Sequence, residues 1–553
     1  MSKIAKAAAT SVEAKTLQTD KVVTNFMGGD SYTINPLDTL KMVSASSIFG
    51  EPSYYRDGGL AINTRAYAAR EYGTSDLLDG FRVITGIDGR NTSEVMVEAI
   101  DAALDYDFEG TLKWAAELRN NYFIRLNPQI ILVRAAKHPN RAKFTEKNPA
   151  MFAQYAYKIM RRADDAMSGI AYYLYDNGSK ASMPSVLKRA YCNKLSSLGR
   201  YEVNKYKNHE IGMINAVRIT HANSPVINEL MKNGSVEISE SETTWETMRS
   251  EGKSWAEIFN TIEMGHMALL RNIRGFFTEV VDTDLRKQYL EKLKGGVLNG
   301  KQFPFRYYNA YNAVDDCKDI PNKRMVLDAL EECIDIAVEN MPKLNGRVAI
   351  LTDNSGSAWG DVVTEYGKVH VAEINNLSAV LTAARADEGV VYKFGDTLRK
   401  FEISKRNGLL AQAKAISADE DDDVGGATEG GIWEFFDSAI ANREHWDSIF
   451  IYSDQQAGLG GLYGTDSHKY AYRKRGYSCG SGDEMINVFK LTLEYRKHVN
   501  KRVNVFSVQT AGYDNNVLPE YAYRTNLMYG WTGRETVFAD AVIKQWDAIE
   551  SRK

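Results

Sequence analysis

The sequence predicts a multidomain chain in which an all-helical domain precedes a doubly wound α/β domain. From about residue 30 to residue 343 the apolar residues recur mostly at helical spacing, and alternating β-branched runs are scarce. Beyond Pro342 short apolar strands alternate with helices, which is the pattern of a largely parallel sheet. With 553 residues, the chain is long enough to give each part a sizeable core.

Helical spacing and proline positions place the elements of the first part. Proline follows Asn127, Asn148 and Met183, near predicted helix starts. The predicted helices cover residues 111–125, 128–138, 149–175 and 255–277. No repeat period is visible, but a helical domain of this length forms more easily as a solenoid or closed array than as a single bundle. We assign residues 31–343 to this domain and expect residues 1–30 to be a flexible segment.

The second part, residues 344–553, contains strands and helices in turn. The predicted strands cover residues 348–351, 390–394, 448–452 and 503–508, and the predicted helices between them cover residues 368–385, 431–443 and 484–498. Two stretches interrupt the alternation, the acidic run 419–423 and the glycine- and tyrosine-rich stretch 458–482. Both are predicted to be surface loops.

Composition indicates an ordinary globular protein without a membrane segment. Hydrophobic residues make up 44% of the chain and charged residues 25%, so the chain is neither disordered nor fibrous. No stretch approaches 18 apolar residues, and no secretory signal is present. The cysteines are far apart and lack C-x-x-C spacing, at Cys192, Cys317, Cys333 and Cys479. We therefore expect free thiols, no zinc site and a cytoplasmic location.

Positive charge is concentrated in one segment, although the whole chain is nearly balanced with 68 basic and 72 acidic residues. Residues 111–209 contain 18 Lys and Arg against 6 Asp and Glu. A surplus of this size repels itself unless an anion is nearby. It is the electrostatic footprint expected of a nucleic-acid-binding surface, and a solvated helix face is the alternative.

The candidate RNA contacts lie where this segment ends. They are the basic residues Lys188, Arg189, Lys205, Lys207, His209, Arg218 and His221, with Tyr201 and Tyr206 among them. Arg218 and His221 are three residues apart and Lys205 and His209 are four apart, so each pair would share one face of a helix. Such cationic faces could bind phosphates, and the tyrosine rings could stack on bases.

A candidate cation site follows the first strand of the second part. Asp353, Ser355 and Ser357 form an Asp-x-Ser-x-Ser run directly after the apolar residues 348–351. A carboxylate and two hydroxyls are hard oxygen ligands, and open α/β sheets bind ligands at the carboxyl ends of their strands. Two further oxygen donors come later in the chain: Thr428 opens a helix candidate, and Asp454 comes just past a strand candidate. Solvated turn residues are the alternative interpretation.

Motifs of the common hydrolases are absent or incomplete. Gly252-Lys253-Ser254 resembles the end of a phosphate-binding loop, but Thr247 stands where the upstream glycine is required. No His-Glu-x-x-His pair occurs, and the G-x-S-x-G elbow is not met at Gly356. A nuclease that used the Asp353 site would lack an evident base or second metal. We therefore expect a protein without catalytic activity.

Several segments together resemble a known family. Residues 217–221, 264–272 and 305–307 look like successive motifs of the TROVE module of Ro autoantigen proteins. The Asp-x-Ser-x-Ser run and its later partners resemble the metal-ion-dependent adhesion site of von Willebrand factor A domains. The resemblance runs from about residue 30 to the C-terminus. Its most specific part is the Leu-Leu-Arg-Asn helix of residues 269–272, followed by the Asp-x-Ser-x-Ser domain.

The resemblance implies a ring of HEAT-like helical repeats, closed by the A domain, in a monomeric protein. Ro relatives bind small noncoding Y RNAs on the outer face and single-stranded 3′ ends of misfolded RNAs in a positively charged hole. Bacterial relatives are coupled to an exoribonuclease. The family's outer-surface contacts would fall on Lys205, His209 and His221, with Lys207 as a rival match to Lys205. One Mg²⁺ ion would be held by Asp353, Ser355, Ser357, Thr428 and Asp454.

Two functions from different classes remain open. The first is a non-catalytic RNA-binding scaffold of a Ro-type ribonucleoprotein that serves RNA quality control. The second is a metal-dependent protein-adhesion module whose helical domain recruits partners.

Arg271 and Asn272 lie in a helix with a mostly buried pattern, so a structural hydrogen-bonding role is at least as plausible for them as RNA contact.

Overall fold

The computed structural model describes most of the chain. The described residues are 21–24, 30–33, 35–46, 92–178, 182–209, 211–239, 243–339, 341–360, 370–404, 406–417, 424–425, 428–455, 457, 487–511, 516–519, 522–529 and 535–551. None of the helices within these ranges is long and apolar enough to cross a membrane. The acidic run 419–423 and the stretch 458–482 lie outside the described residues.

Helices make up the first part of the chain, after one hairpin. The hairpin pairs β1 (Lys21–Thr24) with β2 (Asp30–Thr33). The helices are α1 (Pro36–Ser46), α2 (Thr92–Tyr106), α3 (Phe108–Asn120), α4 (Leu126–Lys137), α5 (Arg141–Thr145), α6 (Met151–Ile159), α7 (Ala163–Asn177), α8 (Ser185–Ser196), α9 (Arg200–Tyr206), α10 (Met213–Thr220), α11 (Pro225–Asn233), α12 (Trp245–Ser250), α13 (Trp255–Thr261), α14 (His266–Glu279), α15 (Thr283–Gly295), α16 (Val297–Gly300), α17 (Pro304–Asp315) and α18 (Lys323–Glu339).

These helices pack in two layers, and each helix contacts neighbours that are close in the chain. One layer contains α3, α6, α8 and α10, and the other contains α4, α7, α9 and α11. The pattern recurs later, where α14 packs on α17 and α15 packs on α18. The buried apolar side chains of the helices join one continuous core. The predicted array of helix pairs is therefore present in its coarse form.

The second part is an α/β domain with a mostly parallel sheet. Its elements are β3 (Leu344–Asp353), α19 (Gly356–Gly360), α20 (Val371–Ala384), β4 (Ala386–Phe394), β5 (Leu398–Glu402), α21 (Leu409–Ser417), α22 (Glu429–Ala441), β6 (Ser448–Ser453), α23 (Val488–His498), β7 (Asn504–Gln509), β8 (Thr525–Tyr529) and α24 (Glu535–Glu550). The strand order is β5-β4-β3-β6-β7-β8, and β5 alone among these strands runs antiparallel to its neighbour.

The central strands are buried on both faces because their side chains alternate between two cores. In β3, Ile350 belongs to the core that is shared with the helical region, whereas Leu351 belongs to a separate core on the opposite face. Phe450 of β6 stacks on Phe506 of β7 with ring centroids 4.5 Å apart. This two-sided burial explains why the strands appear in the sequence as continuous apolar runs.

The start of the helical region contacts the α/β domain. Tyr32 of β2 forms an antiparallel bridge with Asn516, and its ring meets the ring of Phe489 edge-on at 6.1 Å. Helix α1 packs on β8 and on α2 and α3, and the Trp114 indole N–H donates to the hydroxyl of Ser44 over 2.8 Å. Helix α1 therefore joins the first helices of the array to the edge of the sheet.

The end of the helical region contacts the same domain. Glu331 of α18 accepts hydrogen bonds from the backbone N–H groups of Leu410, at 2.9 Å, and Ala411, at 2.8 Å. These donors belong to the first turn of α21, where helix N–H groups lack partners and a carboxylate is favoured. Lys301 also lies 5.3 Å from the ring centroid of Phe123, which joins a late loop of the array to an early one.

The N-terminal boundary differs from the prediction. Residues 21–24 and 30 were expected in a flexible segment, but they form the β1–β2 hairpin. Residues 31–33 were expected in an all-helical domain, but they are in β2, and Tyr32 lies in the apolar core of the sheet. The reason is a pairing between residues that are more than 480 positions apart, which no local pattern encodes.

Candidate metal centre and nucleic-acid interface

Two carboxylates meet where two neighbouring parallel strands end. Asp353 is the last residue of β3, and Asp454 directly follows β6. The register that pairs Thr352 with Tyr452 brings these strand ends side by side. Both aspartates are fully buried. The hydroxyl of Ser453 lies between them, donating to Asp353 Oδ2 over 2.6 Å and, at a longer 3.5 Å, to Asp454 Oδ1.

Both serines of the Asp-x-Ser-x-Ser run join this pair. The backbone N–H of Ser355 donates to Asp353 Oδ1 over 2.9 Å. The hydroxyl of Ser357 donates to Asp454 Oδ2 over 2.6 Å, and the two serine hydroxyls are 3.2 Å apart. Four of the five residues predicted to bind a cation are thus one hydrogen-bonded group.

The fifth residue, Thr428, is buried at the same edge of the sheet. It stands immediately before α22, beside the end of β4, which is the strand next to β3. Two backbone bonds hold its loop there: Thr397 N–H donates to the carbonyl of Val424, and Gly431 N–H donates to the carbonyl of Gly395, each over 2.9 Å. Thr428 therefore lies at the edge of the sheet that carries the other four residues.

The electrostatics of the pair favour a bound cation. Burial, together with the negative charge of Asp454, raises the pKa of Asp353 to about 7, and hydrogen bonds from Ser453 and Ser355 only partly oppose this. Among the described residues no basic side chain forms an ion pair with Asp353. The described residues also contain no cluster of three or more His, Cys, Asp or Glu side chains that could hold a metal ion. The two carboxylates and the hydroxyls of Ser355 and Ser357 are oxygen donors of the kind that a hard divalent cation accepts.

A buried amide network supports the loop and was not predicted from the sequence. Asn376 of α20 accepts from the Thr352 hydroxyl over 2.7 Å and exchanges two hydrogen bonds of 2.9 Å with the side chain of Asn354. The Nδ2 of Asn375 donates to the carbonyl oxygen of Asp353 over 3.3 Å. The adjacent asparagines in a predicted apolar helix were the available signal, because buried amides need partners.

The candidate RNA contacts fall into two groups at opposite ends of α10. At its C-terminal end, the Lys188 amine lies 3.4 Å from His221 Nε2. At its N-terminal end, Lys205 lies over the rings of Tyr201 and Tyr206, 5.4 Å and 5.7 Å from their centroids. Lys207 and His209 follow in the turn before α10, where the Met213 N–H donates to the Lys207 carbonyl over 2.8 Å. Arg189 is exposed on α8, and Arg218 is exposed on α10 itself.

Both helix-face arguments made from the sequence are wrong. Helix α9 ends at Tyr206, so His209 does not continue the face of Lys205. His221 is the C-cap of α10 in the left-handed conformation, with φ of 61°, so it does not share a helical face with Arg218. A residue in the left-handed conformation commonly ends a helix, so His221 lies outside the helical turn that carries Arg218. With eight residues, α10 separates the two groups by roughly 12 Å.

No family model matches the sequence, and no curated protein matches it. A solved structure does match, the crystal structure of the Ro (Rsr) protein of Deinococcus radiodurans, with a TM-score of 0.52 and 15% sequence identity. The match covers 80% of this chain and 93% of that chain. The chain has a Ro-protein fold. Because the matched share exceeds the length of either part alone, the Ro fold includes both the helical region and the α/β domain, as the sequence resemblance implied.

Within this Ro fold the excess of basic residues divides into paired and unpaired cations. Arg119 is buried against Asp165, bonding its Oδ2 at 3.0 Å, and Arg200 contacts both carboxylate oxygens of Glu229. Such pairs are structural. In contrast, among the described residues no ion pair is formed by five of the candidate RNA contacts, Lys188, Arg189, Lys205, Lys207 and Arg218. Their uncompensated charge gives the α8–α10 surface of the Ro fold its positive potential.

The Leu-Leu-Arg-Asn helix is α14, and its two polar residues behave differently. Asn272 is half-buried, and its side-chain N–H donates to the Ala268 carbonyl over 2.9 Å, as a structural role requires. Arg271 is exposed and lies 5.8 Å from the ring centroid of Trp245. The expectation of a mostly buried pattern is therefore wrong for Arg271. Its guanidinium is held on an aromatic ring at the surface of the Ro fold.

Proposed function

We propose that this protein is a non-catalytic RNA-binding scaffold of a Ro-type ribonucleoprotein, acting in the cytoplasm. The observation that carries the proposal is the set of cations on α8–α10 without ion pairs, on a fold shared with a Ro protein. Phosphate oxygens are the ligands that such a surface attracts, and structured RNA presents them in quantity. Tyr201 beside Lys205 adds an exposed ring that could stack on a base.

We propose further that the helical region is a HEAT-like ring that the α/β domain closes. Contacts of both ends of the array with that domain, and the contact of Lys301 with Phe123, support closure. A hole in such a ring would accept the single-stranded 3′ ends of misfolded RNAs, while the outer basic surface bound a small noncoding Y-like RNA. A monomeric protein of this kind could pass its RNA to an exoribonuclease.

The α/β domain would be a von Willebrand factor A domain with one Mg²⁺ site. Asp353 and Asp454 would hold the ion together with the hydroxyls of Ser355, Ser357 and Thr428. A bound divalent cation would offset the repulsion between two buried carboxylates. The support is the direct hydrogen bonding of four of these residues and the burial of Asp353, Ser355, Thr428 and Asp454.

A binding experiment with two RNAs tests the proposed function. One RNA is a hairpin with a single-stranded 3′ tail and the other is the same hairpin with a blunt end, each measured across a salt series. We expect tighter binding of the tailed RNA, with affinity falling by a log–log slope of about 0.7 to 0.9 per neutralised phosphate. Absence of binding to both RNAs would reject the RNA-binding scaffold.

The paired carboxylates also favour a second function, that of a metal-dependent protein-adhesion module. A cation held by side chains of one domain can take an acidic side chain of a partner as a further ligand. On this hypothesis, Asp353→Ala abolishes the binding of a purified protein partner in Mg²⁺ and leaves hairpin affinity within twofold. If that partner binds Asp353→Ala and the original protein equally, the adhesion site is not at this edge of the sheet.

A further inference from the structure

A groove lies between α6 and α8, on the same helix layer as the basic surface. Its volume is about 940 Å³, at the upper end of the roughly 300 to 1,000 Å³ that small-molecule sites span. The side chains that matter for its chemistry are Phe152, Tyr157, Lys158, Arg161, Arg189 and Lys194. None of the described residues that line it is acidic. A groove of this size has room for one or two nucleotides of an RNA strand.

The positive charge of the groove is held in place by neutral groups. Lys194 donates to the Arg161 carbonyl over 3.0 Å, and the Arg161 guanidinium donates to the Asn120 side-chain oxygen over 2.6 Å. Lys158 lies 5.2 Å from the ring centroid of Tyr155. Hydrogen bonds to a carbonyl and an amide fix these side chains without cancelling their charge. The groove is therefore a preorganised site for an anion.

Aromatic rings accompany these cations. Tyr157 is 83% exposed, the highest value among the large hydrophobic residues that the structure describes as exposed. Phe152 is buried in the wall of the same groove. An exposed ring among cations is the combination with which proteins bind unpaired nucleotides, because the base stacks on the ring while the cations contact phosphates.

We propose that the α6–α8 groove binds an unpaired nucleotide of the RNA that the α8–α10 surface holds. Helix α8 joins the two sites, because Arg189 lines the groove and the adjacent Lys188 lies against His221. Consecutive residues point about 100° apart on a helix, so one RNA can contact both faces of α8. A base in a duplex has both faces stacked and cannot lie on Tyr157, so the groove selects a bulge, loop or end. The inference rests on the proposed function.

The test compares two hairpins that differ only in one bulged nucleotide, a fluorescent 2-aminopurine whose emission falls on stacking. For Tyr157→Ala we expect about tenfold weaker binding of the bulged hairpin, recovery of the emission, and an unchanged affinity for the fully paired hairpin. Tyr157→Phe keeps the ring and should behave like the original protein. Tyr106→Ala on α2 is the matched control, because Tyr106 is also exposed, at 56%, and lies outside the groove.

A second variant tests the charges. Lys158→Ala with Lys194→Ala should weaken both the affinity for the bulged hairpin and its salt dependence more than the Tyr106→Ala control does. Thermal unfolding of Tyr157→Ala should match that of the original protein, since Tyr157 is 83% exposed.

The outcomes separate this inference from the proposed function. Failure of the original protein to bind either hairpin would remove both. If it binds both hairpins, and if Lys205→Ala with His221→Ala weakens binding while Tyr157→Ala and the double-lysine variant do not, the groove proposal alone is rejected. Binding of a polyglutamate peptide that these variants lose, with RNA affinity unchanged, would also reject it, because the groove would then serve an acidic protein segment.

Discussion

Replacing Lys205 and His221 together by alanine is expected to weaken RNA binding at least tenfold. Lys205 is exposed at one end of α10, and His221 is exposed at the other end beside Lys188. The double substitution therefore removes one contact from each of the two basic groups. Each phosphate contact that is lost should also lower the slope of log affinity against log salt by about 0.7 to 0.9. Fluorescence anisotropy with the tailed hairpin at several salt concentrations measures both quantities.

The control variant replaces one lysine and one histidine at a different place on the surface. Lys287 and His498 are exposed and lie near Asp284 and Glu494, so Lys287→Ala with His498→Ala removes the same groups from elsewhere. This control should bind RNA with unchanged affinity and salt slope. Equal affinities of the two double variants would show that the α8–α10 surface is not the RNA-binding site.

The structure also predicts which substitutions should be additive. Lys188 and His221 are 3.4 Å apart, so they can share one phosphate, and removing both should cost less than the sum of the single losses. Lys205 and His221 lie at opposite ends of α10, so their losses should add. A double-mutant cycle on each pair distinguishes two separate contacts from one continuous site.

The meeting of Asp353, Ser355, Ser357 and Asp454 was predictable because its signal is local. Asp353, Ser355 and Ser357 follow directly on an apolar strand, and Asp454 follows another. The strand register then brings these residues together in any parallel sheet with this strand order. The role of Ser453, whose hydroxyl bridges the two carboxylates, could not be predicted, because a serine at the end of a strand is common. Its role depends on the approach of β3 to β6.

The basic surface was predictable in its charge but not in its arrangement. The 18 basic residues in 111–209 indicated a positive field. However, several of them are paired with aspartates, as Arg119 is with Asp165, and sequence spacing does not distinguish these from unpaired ones. The groove was missed for the same reason: Lys158 and Lys194 are on different helices, and only the packing of α6 on α8 brings them together.

The N-terminal boundary of the helical region depends on contacts between segments that are far apart in the chain. Residues 31–33 read as the start of a helical domain, yet Ser31 donates to the carbonyl of Asn516 and Tyr32 packs in the core of the sheet. Because pairing between distant segments depends on tertiary packing, short strands at a domain border carry little local signal.

Changing Asp353 to asparagine is expected to have opposite effects on stability with and without Mg²⁺. With Mg²⁺ at a hundred times its dissociation constant, the original protein should gain about 2.7 kcal/mol, and the variant should gain none, since a carboxylate ligand is lost. In EDTA at pH 8 the variant should be the more stable protein, because it no longer buries two like charges. Chemical denaturation in the two buffers measures the difference in the free energy of unfolding.

The pH dependence of stability in EDTA tests independently whether the charged Asp353 carboxylate destabilises the fold. Asp353 has a pKa of about 7 in the fold, well above the value of an unfolded aspartate, so the folded state favours its protonated form. Protonated Asp353 therefore adds to the free energy of unfolding. This contribution is complete below about pH 4 and is lost as pH rises to about 7, by an amount on the order of a few kcal/mol. Asp353→Asn should not show this loss.

Asp328→Asn is the control for Mg²⁺ binding. It changes a half-exposed carboxylate on α18 and should respond to Mg²⁺ as the original protein does. An equal Mg²⁺ response in the Asp353 variant would place the cation elsewhere, since an amide oxygen cannot replace the charge that the ion requires.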